Sequence, residues 1–298
     1  MARAFLIANP AAARTTSLSV QTILQQFRAA GWSVDLAETT GPGDARRFSI
    51  EGVAAGADVV AVFGGDGTTM QAAAGLVGTG VSLGVIPGGT GNLLAANLRI
   101  PGAPSRAVRV LLTGRPRPFD LGRVERSDGV HYFAVACGAG YDARVMAATS
   151  SALKRRWKIA AYVAMTFRMI GELRTAHHRI RVDGDEFEAD AATVIIANCG
   201  LVVPPFIRLR SGIAPDDGLL DVIVIRAANL RQSARAVWHL LRETPGGEGR
   251  AAYIAYARGA NVSVVSDPIE PVQLDGEPGG TTPFEASVVP GAISIMVP

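Results

Sequence analysis

The sequence predicts an α/β protein in two parts, a parallel-sheet domain over residues 1–118 and an antiparallel, β-rich domain over residues 119–298. Three observations predict it. Short apolar runs alternate with stretches of helical periodicity up to about Leu112, the pattern of strands and helices that build a parallel sheet. The segment GRPRPFDLGRV at 114–124 then breaks that texture with two prolines, and strand-like runs predominate after it. Finally, two glycine-rich loops, at 64–68 and 87–92, each follow an apolar run and precede a helical one.

In chain order, residues 5–8 read as a strand that ends at the turn signal Asn9-Pro10. Val20, Ile23, Leu24 and Phe27 give residues 20–30 one apolar helical face, and Gly31 stops it. Residues 32–37 alternate as a strand, and after TTGPG at 39–43 a helix starts at Asp44 and Ala45. The run at 59–63 is apolar, rich in β-branched residues and bounded by glycine, as expected of a strand buried on both faces. Gly64, Gly65 and Gly67 then remove side chains where a backbone would approach a ligand. Asp66 places a carboxylate at the strand's C-terminal end, and Thr68 is expected to cap the following helix.

Such a loop suits a polyphosphate, and its aspartate suits a magnesium ion travelling with it; the same residues also suit an ordinary strand-to-helix turn. PGGTGN at 87–92, between a strand at 81–86 and the helix opening LLAANL at 93–98, repeats the arrangement. Two such turns in one sheet can face one crevice, the usual ligand position of open α/β folds.

Beyond residue 118 the expected strands cover 119–125, 131–136, 179–183, 192–197, 220–225, 253–258, 262–265, 272–274 and 286–297, with Asp183-Gly184 as a hairpin turn. Two helical stretches interrupt them. The first, at 153–170, opens with Lys154, Arg155, Arg156, Trp157 and Lys158 and holds the only two lysines of the chain. That composition fits an anchor facing anionic lipid, but the nearly continuous apolar remainder favours a core helix with a solvated basic first turn. The second, at 230–241, reads as a packed helix.

GGDGT at 64–68, PGGTGN at 87–92, FDLGRV at 119–124, DDGLLDV at 216–222 and LDGE at 274–277, in this order, resemble the diacylglycerol kinase and sphingosine kinase catalytic superfamily, and most closely its soluble bacterial lipid kinases. The resemblance runs from Asn9-Pro10 to the end of the chain. It implies a Rossmann-like first domain of the phosphofructokinase and NAD kinase kind, a β-sandwich second domain, and an active site in the cleft between them. It also implies ATP as donor, Mg2+ as cofactor, and a hydroxyl of diacylglycerol or a related membrane lipid as acceptor.

Phosphoryl transfer needs clamped phosphates, a metal and a positioned base. The expected nucleotide contacts are Gly64, Gly65, Gly67, Thr68, Gly89, Thr90 and Asn92, to which the resemblance adds Asn9, Thr40 and Asp275. Asp66 is the expected holder of the catalytic magnesium, since this ion keeps several waters and takes few carboxylates. No Gly-Lys-Ser/Thr occurs, so backbone rather than a P-loop lysine cradles the phosphates. By resemblance Glu277 is the general base, while Asp275 holds its turn and the ion shell. A structural magnesium is implied at Asp217, with the carbonyls of Ala214 and Leu219; without the resemblance this is a polar turn entering a strand. The resemblance also puts Asp120 and Asp142 on family positions lining the cleft; read alone, either caps a turn. The chain departs from the family pattern at Met70, Gln71 and Leu93, where polar or acidic residues are usual, which weakens any transfer of acceptor specificity.

Composition excludes several classes. At 298 residues and a net charge of +3 the chain has room for two domains but no basic footprint for nucleic acid. Cys137 and Cys199 lie far apart without metal-ligand spacing, which fits a reduced, cytoplasmic protein. No apolar run approaches the roughly 18 residues of a membrane span, so a lipid acceptor would be met from the water side, by peripheral contact with the inner membrane face. The competing functions are an NAD kinase, which shares GGDG but should carry an Asn-Glu pair after the loop, and a catalytically silent nucleotide or lipid binder. Oligomeric state, a homodimer included, is left open.

Overall fold

The computed structural model describes residues 1–141, 143–144, 174–203, 207–210, 212–226 and 254–298. The stretches at 153–170 and 230–241 and the residue Asp142 lie outside the described residues. Met1–Asp120 together with Gly291–Pro298 form one compact unit, and Leu121–Pro290 form the other.

The first unit is a parallel sheet with helices. Its strands are β1 (Arg3–Ala8), β2 (Ser33–Glu38), β3 (Val59–Gly64) and β4 (Ser82–Pro87), in the order β2-β1-β3-β4. Every residue of β3 and β4 is buried, the physical reason their sequences read as unbroken apolar runs. The helices are α1 (Ser17–Ala29), α2 (Asp44–Ala54), α3 (Asp66–Leu76), α4 (Leu93–Asn97) and α5 (Pro104–Thr113). The apolar stripe Val20, Ile23, Leu24 and Phe27 of α1 is buried as its spacing requires. A reciprocal box starts that helix, with Thr16 Oγ1 accepting from Ser19 N–H at 3.2 Å and Ser19 Oγ accepting from Thr16 N–H at 2.9 Å. Helices α2 and α3 meet at Gly75, where a methyl would strike Ser49 Oγ and the Arg46 carbonyl.

Because β2 lies outside β1 and β4 outside β3, the loops leaving β1 and β3 diverge at the C-terminal edge of the sheet. This is a topological switch point, where open α/β sheets bind ligands.

The second unit is a two-sheet β-structure. Its strands include β5 (Arg115–Arg126, entering from the first unit), β6 (Gly129–Phe133), β7 (Ala136–Gly140), β8 (Ala176–Val182), β9 (Asp185–Ala191) and β10 (Thr193–Ala197). There follow a short pair, β11 (Leu201–Val203) and β12 (Ile207–Arg208), then β13 (Leu220–Ile225), β14 (Ile254–Gly259), β15 (Asn261–Asp267), β16 (Pro271–Leu274), β17 (Glu277–Thr281) and β18 (Phe284–Val297). One sheet places β18 beside β15, β8 and β9, with β5 and β6 on its other side. The other runs β14-β13-β10-β7-β16-β17. One apolar core joins them: Val124, Phe133, Ile180 and Val264 from the first sheet pack with Cys137, Ile196, Val222 and Leu274 from the second.

The strands β11, β12 and β17 lie outside the sequence expectation, and two further differences have a physical reason. The single strand expected over 131–136 is interrupted at Ala134 and Val135, whose N–H groups go to a side chain, Asp275, instead of a neighbouring strand. Strand β9, DEFEADA, was not expected from its charged, weakly β-forming composition. Cross-strand pairs hold it on β8, with Arg179 to Glu188 at 3.1 Å and Arg181 to Glu186 at 3.2 Å.

Strand β18 begins in the second unit and ends in the first, where Ser294 and Ile295 pair in parallel with Ser82 and Leu83 of β4. The buried carboxylate of Asp120 accepts the N–H of Gly291 at 2.7 Å, tying together the two points where the first unit's chain leaves and returns.

Candidate active site

In the first unit the two glycine loops lie directly against each other. Strand β3 runs on through Gly64, and the carbonyl of Gly64 accepts from Gly88 N–H at 2.8 Å and Gly89 N–H at 3.1 Å. A Cβ on Gly89 would stand 2.6 Å from the Cα of Gly65, so only glycine allows this backbone-to-backbone approach. Asn92 closes the second loop on itself: its Oδ1 accepts from Gly89 N–H at 3.0 Å and its Nδ2 donates to the Gly89 carbonyl at 2.9 Å. It does so from a left-handed backbone, φ 50°, which asparagine tolerates well.

Helix α3 starts at Asp66 with Gly65 as its N-cap, earlier than the sequence suggested, so Thr68 is a first-turn residue and not the cap. The Thr68 hydroxyl instead accepts from Asn9 Nδ2 at 2.8 Å, while Asn9 N–H donates to the Phe63 carbonyl at 2.9 Å. The loop after β1 is thereby fastened to the loop after β3. Gly65, Asp66, Gly67 and Thr68 open the helix, where N–H groups have no acceptor within the helix itself. Thr90 is exposed at the tip of the second loop.

Asp66 is half-buried and points across to the second loop. Its Oδ1 faces Leu94 N–H at 3.4 Å, and a Cβ on Gly91 would come within 2.9 Å of its Oδ2. Burial pushes its pKa up, opposed by the N–H groups of Leu93, Leu94 and Asn92 at the start of α4.

Thr40 belongs to an adjacent loop whose polar groups are largely committed. Asp44 Oδ2 accepts from Thr40 N–H at 2.8 Å, from the Thr40 hydroxyl at 2.8 Å and from Gly41 N–H at 3.0 Å. These bonds and Arg47 hold the Asp44 carboxyl well below the usual carboxylate range. Gly43 N–H donates to Gln71 Oε1 at 2.9 Å. The departure at Gln71 thus has a structural role, tying this loop to α3.

In the second unit Asp275 and Gly276 form a two-residue hairpin turn between β16 and β17, with φ of 47° and 84° and Leu274 paired with Glu277. Glu277 is exposed at the start of β17. Asp275 faces inward, its carboxylate accepting three consecutive N–H groups: Ala134 at 2.7 Å, Val135 at 2.8 Å and Ala136 at 2.9 Å. Gln273 Oε1 adds a bond from Gly276 N–H at 2.7 Å. The carbonyl of Ala134 in turn accepts from buried Asn198 Nδ2 at 2.9 Å and from the Cys199 thiol at 3.3 Å. Burial, with the Asp275 charge nearby, pushes the Cys199 thiol up and keeps it protonated.

Asp217 sits elsewhere, in the turn before β13. Strands β13 and β16 stand three spacings apart in their sheet, roughly 14 Å, so this turn and the Glu277 hairpin are separate features. Asp217 Oδ1 accepts from Leu219 N–H at 3.0 Å, and its Oδ2 pairs with Arg258. Among the described residues no group of three or more His, Cys, Asp or Glu side chains is assembled to hold a metal.

Comparison with known proteins decides what this arrangement belongs to. The profile of the diacylglycerol kinase catalytic domain matches residues 3–124, and that of the YegS C-terminal NAD kinase beta sandwich-like domain matches residues 135–297. A diacylglycerol kinase of Bacillus subtilis (strain 168) is 30% identical over all of this chain and 97% of its own length. The chain belongs to the diacylglycerol kinase family of lipid kinases. A YegS-like lipid kinase of Pseudomonas putida is 31% identical over 94% of this chain and 90% of that relative. A solved structure of a candidate diacylglycerol kinase from Bacillus anthracis str. Sterne shares the fold, with a TM-score of 0.83 over 99% of this chain and 97% of the other at 22% identity.

This lipid kinase therefore carries the family's motifs on two structural supports. Asn9, Gly64, Gly65, Asp66, Thr68, Gly89 and Asn92 are brought together around two interlocked loops, whereas Asp275 and Glu277 ride on a hairpin of the second unit. The sequence gives Asp44 only as a helix start and does not single out Asn198 or Arg258. Their partners are their own loop in the first case and distant strands in the others, and no local pattern announces either.

Proposed function

We propose that this kinase transfers the γ-phosphoryl group of ATP to a hydroxyl of diacylglycerol or a related membrane lipid. The observation that carries the reading is the pair of glycine loops held backbone to backbone through Gly64, Gly88 and Gly89, with the N-terminus of α3 behind them and Asp66 at their edge. Unpaired N–H groups at a helix start suit phosphate oxygens. A single half-buried carboxylate suits magnesium, which takes one or two protein carboxylates and completes its shell with water and phosphate. Asp66 would hold that ion, and the ion when bound would offset charge developing on the transferred group.

In this reading Glu277 takes the proton of the acceptor hydroxyl, a task that suits its exposure at the hairpin. Asp275, saturated by backbone donors, is assigned to holding that hairpin in place and not to the nucleotide. In this reading contact with the lipid is peripheral, at a membrane surface; among the described residues no helix is long and apolar enough to cross a membrane.

The test incubates the purified protein with labelled ATP, magnesium and, separately, diacylglycerol, monoacylglycerol, a long-chain base, ceramide, a polyprenol and NAD. Label is expected in diacylglycerol or a near relative, and to vanish in Asp66→Asn and Glu277→Gln. Label in NAD with unlabelled lipids refutes the lipid acceptor. Binding of ATP without turnover of any acceptor refutes the kinase reaction.

A further inference from the structure

The turn that the family resemblance assigns to a structural magnesium already holds a cation of the chain's own. Asp217 and Asp221 bracket the entry into β13, and the register of β13 with β14 sets Arg258 directly across from Asp221. From there the Arg258 guanidinium pairs with Asp217 Oδ2 and places its Nε 3.4 Å from Asp221 Oδ2. Both oxygens of Asp217 are thus engaged, the other by Leu219 N–H at 3.0 Å. Leu219, expected to offer a carbonyl to a metal, meets Asp217 through its N–H.

Asp221 makes the need for positive charge acute. Its side chain is 8% exposed, and among the described residues its Oδ2 has no hydrogen-bond donor. The Arg258 and Arg210 charges stand close to it, as does the like charge of Asp217. Arg210 is itself fixed nearby, its guanidinium 5.1 Å from the centre of the Tyr256 ring. Two carboxylates therefore face two guanidinium groups. A divalent ion added to this set would compete with Arg258 for the same Asp217 oxygen, and it would sit within a few ångströms of a like charge. Magnesium also requires oxygens at about 2.0–2.1 Å in near-octahedral array, and both oxygens of Asp217 already accept from donors of the chain.

We propose that Arg258 takes the place of a structural divalent cation in this kinase, bridging Asp217 and Asp221 and fixing the turn 214–221 without metal. The planar, permanently charged guanidinium does from a neighbouring strand what an ion would do from solution.

Thermal melting of the nucleotide-free protein tests this, carried out in an Asp66→Asn background so that an ion at the glycine loops contributes nothing. The expected result is the same melting temperature in EDTA and in millimolar MgCl2, and no stoichiometric magnesium or calcium by elemental analysis. Arg258→Met should melt several degrees lower in EDTA and regain part of the loss in MgCl2, because two carboxylates are then left facing each other. Arg258→Met with Asp217→Asn should show no such regain. A protein that melts lower in EDTA, recovers with MgCl2 and loses a bound ion on Asp217→Asn would overturn the proposal. So would an Arg258→Met variant that melts like its parent in both buffers. If Arg258→Met does not fold, Arg258→Lys, which keeps the charge, and the metal content of the unsubstituted protein decide the matter.

Discussion

Replacing Asp275 separates two roles that its position near Glu277 confounds, nucleotide contact and support of the hairpin. Asn is the informative substitution, because it adopts the left-handed backbone of the turn as readily as Asp does. With Oδ1 kept, the bonds from Val135 and Ala136 N–H survive, but the new amide nitrogen meets Ala134 N–H donor to donor. One charge-assisted bond is lost and two are weakened, about 2 kcal/mol. Ala removes the acceptor from all three N–H groups; since Asp275 is half-buried and water can reach the gap, the cost is near the lower bound, about 3–5 kcal/mol. For a unit of this size each kcal/mol lowers the melting temperature by about 2–4 °C, so scanning calorimetry should rank wild type above Asn above Ala. Displacement of the hairpin by roughly 1 Å should lower kcat by up to about 100-fold while leaving KM for ATP unchanged. A rise in KM for ATP at constant kcat would show the carboxylate touching the nucleotide or its ion. Equal stability of all three proteins would show that the carboxylate does not hold residues 134–136.

Gly89→Ala should push the two loops apart, since the new methyl would lie 2.6 Å from the Gly65 backbone; KM for ATP should rise at least about tenfold and stability fall by about 1–3 kcal/mol, read from kinetics and urea melts. Gly75→Ala should cost about 1–3 kcal/mol by crowding α2 against α3, and Ser49→Ala should restore part of it, which urea melts of the single and double variants will show. His178 is fully buried, with Nε2 donating to the Ala191 carbonyl at 3.2 Å and Nδ1 accepting from Ser266 at 2.8 Å. Burial, with the nearby charges of His177 and Arg144, lowers its pKa. The unfolded chain therefore binds this proton first: the contribution is intact above about pH 6.5 and is lost as pH falls towards the lowered folded value. The melting temperature should drop between pH 7.5 and 5.5, and His178→Gln should flatten that slope after correction for exposed His177, whose raised pKa acts in the opposite sense.

The first unit was readable because its information is local. Buried parallel strands spell apolar runs, and loops that approach a ligand spell glycine, so the runs that became β3 and β4, with GGDGT and PGGTGN, could be placed by sight. What local reading missed depends on partners far away in the chain. The break after β6 is explained only by Asp275, some 140 residues on. Strand β9 is specified by arginines on β8 rather than by its own propensity. Nearer at hand, the bond of the Thr40 hydroxyl to Asp44 is a matter of side-chain direction, which spacing does not encode. The pairing of Asp217 with Arg258 likewise needs the β13 to β14 register before it can be seen.

The return of β18 to the edge of β4 sets an order on biosynthesis. A ribosome delivers the first 120 residues well before Ser294 and Ile295, so the nascent α/β layer waits with the β4 edge uncovered until the whole intervening β-structure has emerged. A message truncated near codon 290 would release a chain that has every glycine of both loops yet keeps that edge open, a substrate for quality-control proteases and for edge-to-edge aggregation.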